Sequence, residues 1–517
     1  MAGKTLFAGF RGVMLPRAQA LNAELAQACA LEPKQALAQY AATGCLGHTF
    51  YASGDEQLTR VLELCEAVEP EFVAKVAVYC RTRAFLKDMP ALLCAWLSRR
   101  DTRLHELVFS RVIDNTRMLR SYVQILRSGV TGRKSLGTAP KRLVSDWLAG
   151  QDEERLFRSG TGQDPSLADV LKMVHPKPDS PVREAFYGYM LGRPFEADAL
   201  PKLVMRFERF KSGETEETPD VPFTMLSALS LTAAQWKDIA HNASWQTTRM
   251  NLNTFARHGV FEDEALTALV AGRLRDAGEI ARARVFPYQL LAAMLSCSAL
   301  VPAAVKDALH DAMELAVAGV PVIAGPVVVC PDVSGSMMSP VTGYKPGAQT
   351  SVRCIDVAGL VAAAVVRKNL CAIVLPFAED VRAIDLDPRA TIVASAGKLA
   401  ALGGGGTNCS APLRLLNQRK VKADLVIFVS DNQSWADPRM ALGTAMMAEW
   451  AAFRARNPKA RLVCLDVQPY ETTQAAERED VLNVGGFSDS VFEVIRAFAS
   501  GELEAGHWVS RIEAVEL

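Results

Sequence analysis

The chain has 517 residues, too many for one hydrophobic core, so two or three domains are expected. Half of it is hydrophobic and 22% is charged, as in an ordinary globular protein. Its 57 basic and 57 acidic residues balance, which excludes a polycation acting through overall charge. The 11 cysteines form no C-x-x-C pair, so neither a zinc framework nor a disulfide scaffold is indicated. With no signal peptide in view, a reducing cytoplasm is the expected compartment. The most apolar stretch, "AVAGVPVIAGPVVVC", is interrupted by prolines and glycines and is too short to span a bilayer, so no membrane segment is expected.

From about residue 15 to about residue 318 the pattern predicts helices almost throughout. "DEQLTRVLELCEAVEPEFVAKVAVYCRTR" repeats apolar residues at three- and four-residue spacing with Pro70 at the break. "MPALLCAWLSRR", "HELVFSRVIDNTRMLRSYVQILRSG" and "PYQLLAAMLSCSA" behave alike. No strict repeat recurs, so the expectation is a degenerate HEAT-like array of about seven helical pairs. Within it, residues 72–145 hold 15 Lys/Arg against 4 Asp/Glu, a surplus suited to a polyanion. Arg117, Arg120, Arg133, Lys134, Lys141 and Arg142 of this segment are candidate phosphate contacts, the last four around the Gly-rich turn of "GVTGRKSLGTAPKRLVSDWLAG" (129–150). Aromatics are sparse, and neither an RNP-like strand nor C2H2 spacing occurs, which argues against base reading by a known small module. "ADVLKMVHPKPDSP" (168–181) places His175 at a helix end beside Lys177, and "KSGETEETPDVP" (211–222) reads as an exposed loop.

After Pro321 short β-rich runs alternate with Ala-rich helices: "PVVVCPD", "IDVAGLVAAAVVRKNL", "CAIVLPFAE", "VRAIDL", a helix near 391–401, "ADLVIFVSD", a helix near 438–456, "ARLVCLDV" and "SVFEVIRAFA". This alternation predicts a mostly parallel, doubly wound Rossmann-like α/β sheet covered on both faces. Residues 1–320 are thus expected as an all-α domain and 321–517 as an α/β domain. Ligands of such sheets sit at the carboxyl ends of strands, where Asp332 and Asp431 fall.

Three segments meet at that edge: "DVSGS" with Asp332, Ser334 and Ser336; "GGGGTN" with Thr407; and "VSDNQSW" with Asp431. Taken singly, Ser334 and Ser336 read as helix caps and Thr407 as a loop residue. Together, five hard oxygen donors in this order predict a divalent cation, Mg2+ first and Mn2+ or Ca2+ as alternatives. The glycines before Thr407 permit close backbone approach.

Residues 327–435 resemble the von Willebrand factor A domain and its metal-ion-dependent adhesion site (MIDAS), with all five positions intact. The helical half resembles the TROVE module of Ro proteins, in "TGCLGHTFYAS", "GRKSLGTAPKRLVSDWL", "DVLKMVHPKP", "MNLNTFARHGV" and "ARVFPYQLLAA"; "GGGGTNCS", "IFVSDNQSW" and "GGFSDSVFEVIRAF" extend the similarity. The resemblance implies a HEAT-like helical ring closed by the metal-bearing domain. It implies a ribonucleoprotein in RNA quality control, binding small structured Y RNAs on a basic outer surface and single-stranded 3′ ends of misfolded RNAs in a central cavity. The family's RNA-contacting histidine corresponds to His175, and a basic position upstream to Arg158. A second basic position falls on Gly162, a departure, and Pro140 interrupts the family's more continuous helix. Arg133, Lys134, Lys141 and Arg142 match the segment beside the cavity. A monomer without catalytic activity, working beside a 3′-to-5′ exoribonuclease, is the implied assembly. Two other readings stand beside this one: a metal-dependent protein-binding adaptor without direct RNA recognition, and a hydrolase using the cation to activate water.

Overall fold

The structure, a computed structural model, describes residues 20–517 apart from 44, 45, 47, 48, 50, 161–164, 284, 286, 318, 319, 321, 342–351, 441, 442, 469, 487, 488 and 503–506. The chain divides into two compact units. One contains the described residues within 1–64, 286–288 and 317–511; the other contains those within 65–285, 289–316 and 512–517. The boundary at 320/321 drawn from sequence therefore differs from the packing over residues 20–64, which belong with the α/β unit.

Eight short strands are described: β1 (Ala20–Leu21), β2 (Gln27–Ala30), β3 (Val327–Pro331), β4 (Ile373–Val374), β5 (Leu425–Ser430), β6 (Arg461–Asp466), β7 (Thr472–Thr473) and β8 (Val481–Gly485). Five of them form a sheet in the order β4-β3-β5-β6-β8, every neighbouring pair parallel. β3, β5 and β8 are buried along their whole length. Burial on both faces explains why the sequence shows apolar runs there instead of alternation. Val328, Cys330, Val426, Phe428, Leu462 and Cys464 pack on one face with Leu413, Leu416, Met446, Trp450 and Phe453. Trp450 lies wholly inside, and its indole donates to Asp480 at 2.8 Å, so the one polar atom of a large apolar side chain is satisfied.

The expected α/β alternation is present, with two differences. "VRAIDL" forms no strand beyond a single bridge at Val381, because β4 is a two-residue sheet edge and offers it no ladder. β8, and the helix Ser410–Gln418 after Thr407, were not anticipated. A second, antiparallel sheet runs β1-β2-β7, pairing Ala20 with Ala28 and Cys29 with Thr473. The helix Pro33–Thr43 packs against β8. These contacts fix the N-terminal segment to the α/β unit.

The other unit is helical, and successive helices pack on one another: Pro70–Thr82 on Asp88–Arg100, and the latter on Thr102–Val112 and Thr116–Ser128. Local sequence sets the ends. Asp101 and Asn115 cap the last two helices by accepting from Leu104 and Met118 backbone N–H groups at 2.9 and 3.0 Å, each cap contributing about 1 kcal/mol. Gly129 ends the second at φ +86, a left-handed conformation that suits glycine. Pro140 sits in the first turn of the helix Thr138–Ala149, where no intrahelical N–H is required, so it begins this helix instead of breaking it. Leu119, Tyr122, Val123 and Leu126 face inward; Tyr122 meets Phe109 edge-on at 5.2 Å and His105 at 2.7 Å from hydroxyl to Nε2.

Candidate functional site

Because β3 and β5 are parallel neighbours, Asp332 and Asp431 leave the sheet at the same edge. Asp332 is fixed by three hydrogen bonds: its N–H donates to Val429 at 2.9 Å, and its carboxylate accepts from the Ser334 N–H at 2.8 Å and the Ser430 hydroxyl at 2.6 Å. The Ser334 and Ser336 hydroxyls lie 3.3 Å apart, and Ser336 also bonds to Asp431. Asn432 adopts φ +55, and its N–H donates to the Ser430 hydroxyl at 3.0 Å, which turns the chain sharply just after Asp431.

The glycine run brings in the third segment. Gly404 donates to Val333 and Gly405 accepts from Gly335, each at 2.9 Å, so this loop lies along "DVSGS". Gly404 and Gly405 hold φ +120 and +94, and a Cβ on Gly406 would stand 2.5 Å from the Trp435 ring. The Thr407 carbonyl accepts from Trp435 and Ala436 N–H groups at 3.0 and 2.9 Å. Asp332, Ser334, Ser336, Thr407 and Asp431 are all buried in this one place.

Burial lifts the carboxyl groups of Asp332 and Asp431 above the usual carboxylate range, and the charge on Asp431 lifts Asp332 further. Among the described residues no Lys or Arg forms an ion pair with either acid, and no group of three or more His, Cys, Asp and Glu gathers as a metal site. Two crowded carboxylates with hydroxyls and no sulfur form a donor set that fits a hard divalent cation, whose charge would offset their repulsion.

Sequence reasoning missed the contribution of the N-terminal segment. Tyr51 hydrogen-bonds to Ser336, and burial followed by Asp431 raises its phenol above the ordinary range. The Tyr51 ring meets Tyr470 edge-on at 5.6 Å, and the Tyr470 hydroxyl reaches Thr49 at 3.2 Å. The turn between β1 and β2 is pinned to the loop after Asp431: the Ala23 N–H donates to Gln433 at 2.9 Å, and Asn22 donates to the Ser434 carbonyl. Tyr51 lies in "TGCLGHTFYAS", which singled out the segment but carried no sign of where it packs.

In the helical unit the helix Thr116–Ser128 turns Arg117, Arg120 and Arg127 to one side, at the three- and seven-residue spacing of a single face. Arg117 and Arg127 are exposed and Arg120 half-buried, and among the described residues none of the three has an acidic ion-pair partner. Burial and then Arg117 lower the pKa of both Arg120 and Lys87, so this positive charge is crowded. At the other end Arg127 and Lys172 both act on Asp169, whose low pKa comes first from its Ser166 hydrogen bonds.

The remaining candidates are distributed differently. Arg133 turns inward, donates to the Ser98 carbonyl and lies near His105, so it serves packing. Arg142 pairs with Glu106, Lys134 is exposed and Lys141 half-buried. Arg158 is held by Asp220, at 2.9 Å to its carbonyl and 3.1 Å to its carboxylate, with Glu154 at 3.8 Å. His175 and Lys177 are exposed on the loop after the helix Leu167–Val174. Gly162 lies outside the described residues.

Residues 327–499 match the family described as the Ro60 vWA domain. A relative, RNA-binding protein RO60 of Deinococcus radiodurans, is 27% identical over 365 residues, covering 65% of this chain and 66% of that protein. The crystal structure of the Deinococcus radiodurans RO (RSR) protein is similar in fold, with a TM-score of 0.62 at 20% identity over 91% of this chain and 100% of that one. The parallel sheet and its oxygen-lined edge lie within the stretch that matches the Ro60 vWA domain, and over 365 residues the chain is similar to a Deinococcus radiodurans RNA-binding protein.

Proposed function

We propose that the protein binds noncoding RNA on its helical unit, holds a divalent cation in its α/β unit, and acts by binding instead of catalysis. The observation that carries the RNA reading is the face formed by Arg117, Arg120 and Arg127. Arg117 crowds Arg120, Arg127 lies farther along the same helix side, and none of the three has an acidic ion-pair partner among the described residues. Such a face is completed by a phosphate chain, whose binding releases counterions and tolerates sequence. The relative's name supports RNA as the ligand; small structured RNAs of the Y type and single-stranded RNA 3′ ends are what the Ro resemblance implies. The role is RNA quality control in the cytoplasm, as a monomer beside a 3′-to-5′ exoribonuclease.

The cation is Mg2+, with Mn2+ as a substitute. Ser334 and Ser336 would hold it directly, with Asp332, Asp431 and Thr407 around them. When bound, it supplies a positive centre able to take an acidic group from a partner. Tyr51 orients Ser336, and Ser430 orients Asp332.

The test is fluorescence anisotropy with a 3′-tailed hairpin RNA, at low and moderate salt, with Mg2+ and with EDTA. Binding that falls steeply with salt and persists in EDTA supports the reading; no binding at low salt ends it.

A further inference from the structure

A cleft of about 310 Å3 opens where the helix Leu167–Val174 gives way to the helix Pro181–Leu191. Its walls include His175, Pro176, Pro178 and Pro194, and it presents both an acid, Glu184, and a base, Arg193. His175 closes its helix at φ +52, a conformation that a non-glycine residue adopts at a cost, and its backbone N–H is fixed to Leu171 at 2.9 Å. The prolines on either side of Lys177 keep that segment extended. Gly188 shapes the opposite wall, because a Cβ there would stand 2.9 Å from Phe195 and 3.0 Å from the Pro194 carbonyl.

His175, Glu184 and Arg193 are all exposed. Among the described residues their side chains have no hydrogen-bond or ion-pair partner, and Glu184 and Arg193 do not pair with each other. A rigid cleft that keeps a carboxylate, a guanidinium and an imidazole free matches a ligand with an N–H edge, an anionic group and a flat apolar face. A nucleotide has all three.

The carboxylate selects among bases. It only accepts hydrogen bonds, and guanine alone offers two adjacent donors, N1–H and the exocyclic amine, to its two oxygens. Adenine and cytosine offer an amine beside a ring acceptor, and uracil flanks its single N–H with two carbonyls that repel an acid.

We infer that this cleft is a pocket for one unpaired guanosine nucleotide, with Glu184 reading the base edge, Arg193 holding phosphate and His175 lying against the ring. The inference rests on the RNA reading for its biological source, while the pocket chemistry is shared by free GMP.

The experiment uses the full chain. Calorimetric titration with GMP, AMP, CMP, UMP and inorganic phosphate is paired with anisotropy of oligouridine RNAs that contain one or no guanosine. The expected result is that GMP and the guanosine-containing strand bind at least about tenfold more tightly than their counterparts, the preference of a two-bond contact. Glu184→Gln removes the preference and leaves other nucleotides unchanged, and Arg193→Ala weakens every nucleotide. Equal binding of the four mononucleotides, or an undiminished preference in Glu184→Gln, overturns the pocket. Salt-dependent RNA binding without guanosine preference sinks this inference alone, whereas GMP binding without any RNA binding sinks the RNA reading and assigns the cleft to a free nucleotide.

Discussion

Neutralising Arg117, Arg120 and Arg127 together, each to Gln, should separate phosphate binding from folding. The three side chains share one helix face and have no acidic ion-pair partner among the described residues, so the folded state loses mutual repulsion and no salt bridge. Stability should stay within about 0.5 kcal/mol of the parent. For RNA the arithmetic runs the other way. Each phosphate neutralised on a single strand contributes about 0.7 to the slope of log K against log salt, so three contacts contribute about 2. Between about 50 and 200 mM salt they account for roughly a twentyfold change in affinity. The assay is anisotropy of a 3′-tailed RNA over that range, with thermal unfolding of the triple variant as control. A native transition with an unchanged salt slope would refute the assignment of this face to phosphate.

Ser334→Ala with Ser336→Ala should abolish Mn2+ binding by calorimetry and leave RNA affinity unchanged. On the parent, cation at about 100 times its Kd should add about 2.7 kcal/mol of stability, a gain that EDTA reverses. Asp220→Asn should remove the exposed carboxylate beside Arg158, which keeps its bond to the carbonyl of residue 220, and strengthen RNA binding by about two- to fivefold, read in the same anisotropy assay. His105 supplies a pH dependence. Burial, then Arg133, lowers its imidazole to about 4 against 6.5 in model compounds. As pH falls the unfolded chain protonates first, so stability is full above pH 6.5 and is lost down to about pH 4, on the order of 3 kcal/mol in all. Denaturation midpoints of the parent and of His105→Phe across that window should diverge on the acid side.

The chain's own order made much of this visible. The apolar runs of β3 and β5, each followed by an aspartate, marked a parallel sheet and the edge where Asp332 and Asp431 meet, because burial on both faces leaves a signature in single segments. The glycines before Thr407 were legible for a similar reason: their backbone angles and the Trp435 approach exclude other residues. What stayed hidden was contact between distant segments. β1 and β7 are two residues long and carry no period, and nothing local to Tyr51 says that it meets Ser336. "VRAIDL" failed from the opposite cause, since its composition suits a strand but no neighbour extends a ladder to it. Charge counting found the basic segment but not its partition. Arg133 bonds to Ser98, Arg142 to Glu106 and Arg158 to Asp220, while Arg117, Arg120 and Arg127 share one side of a helix with no acidic ion-pair partner among the described residues.

The antiparallel pairing of Cys29 with Thr473 sets a timetable for synthesis. A ribosome adding about 5–20 residues per second makes β7 roughly 20–90 s after β2. The helices translated in between can close early, because they pack on near neighbours in sequence. Through that interval the nascent N-terminal hairpin keeps a bare strand edge, a template for unwanted pairing. Chaperone occupancy on stalled polysomes should therefore persist at residues 20–30 until β7 has cleared the exit tunnel, and a chain truncated before β7 should aggregate through that hairpin.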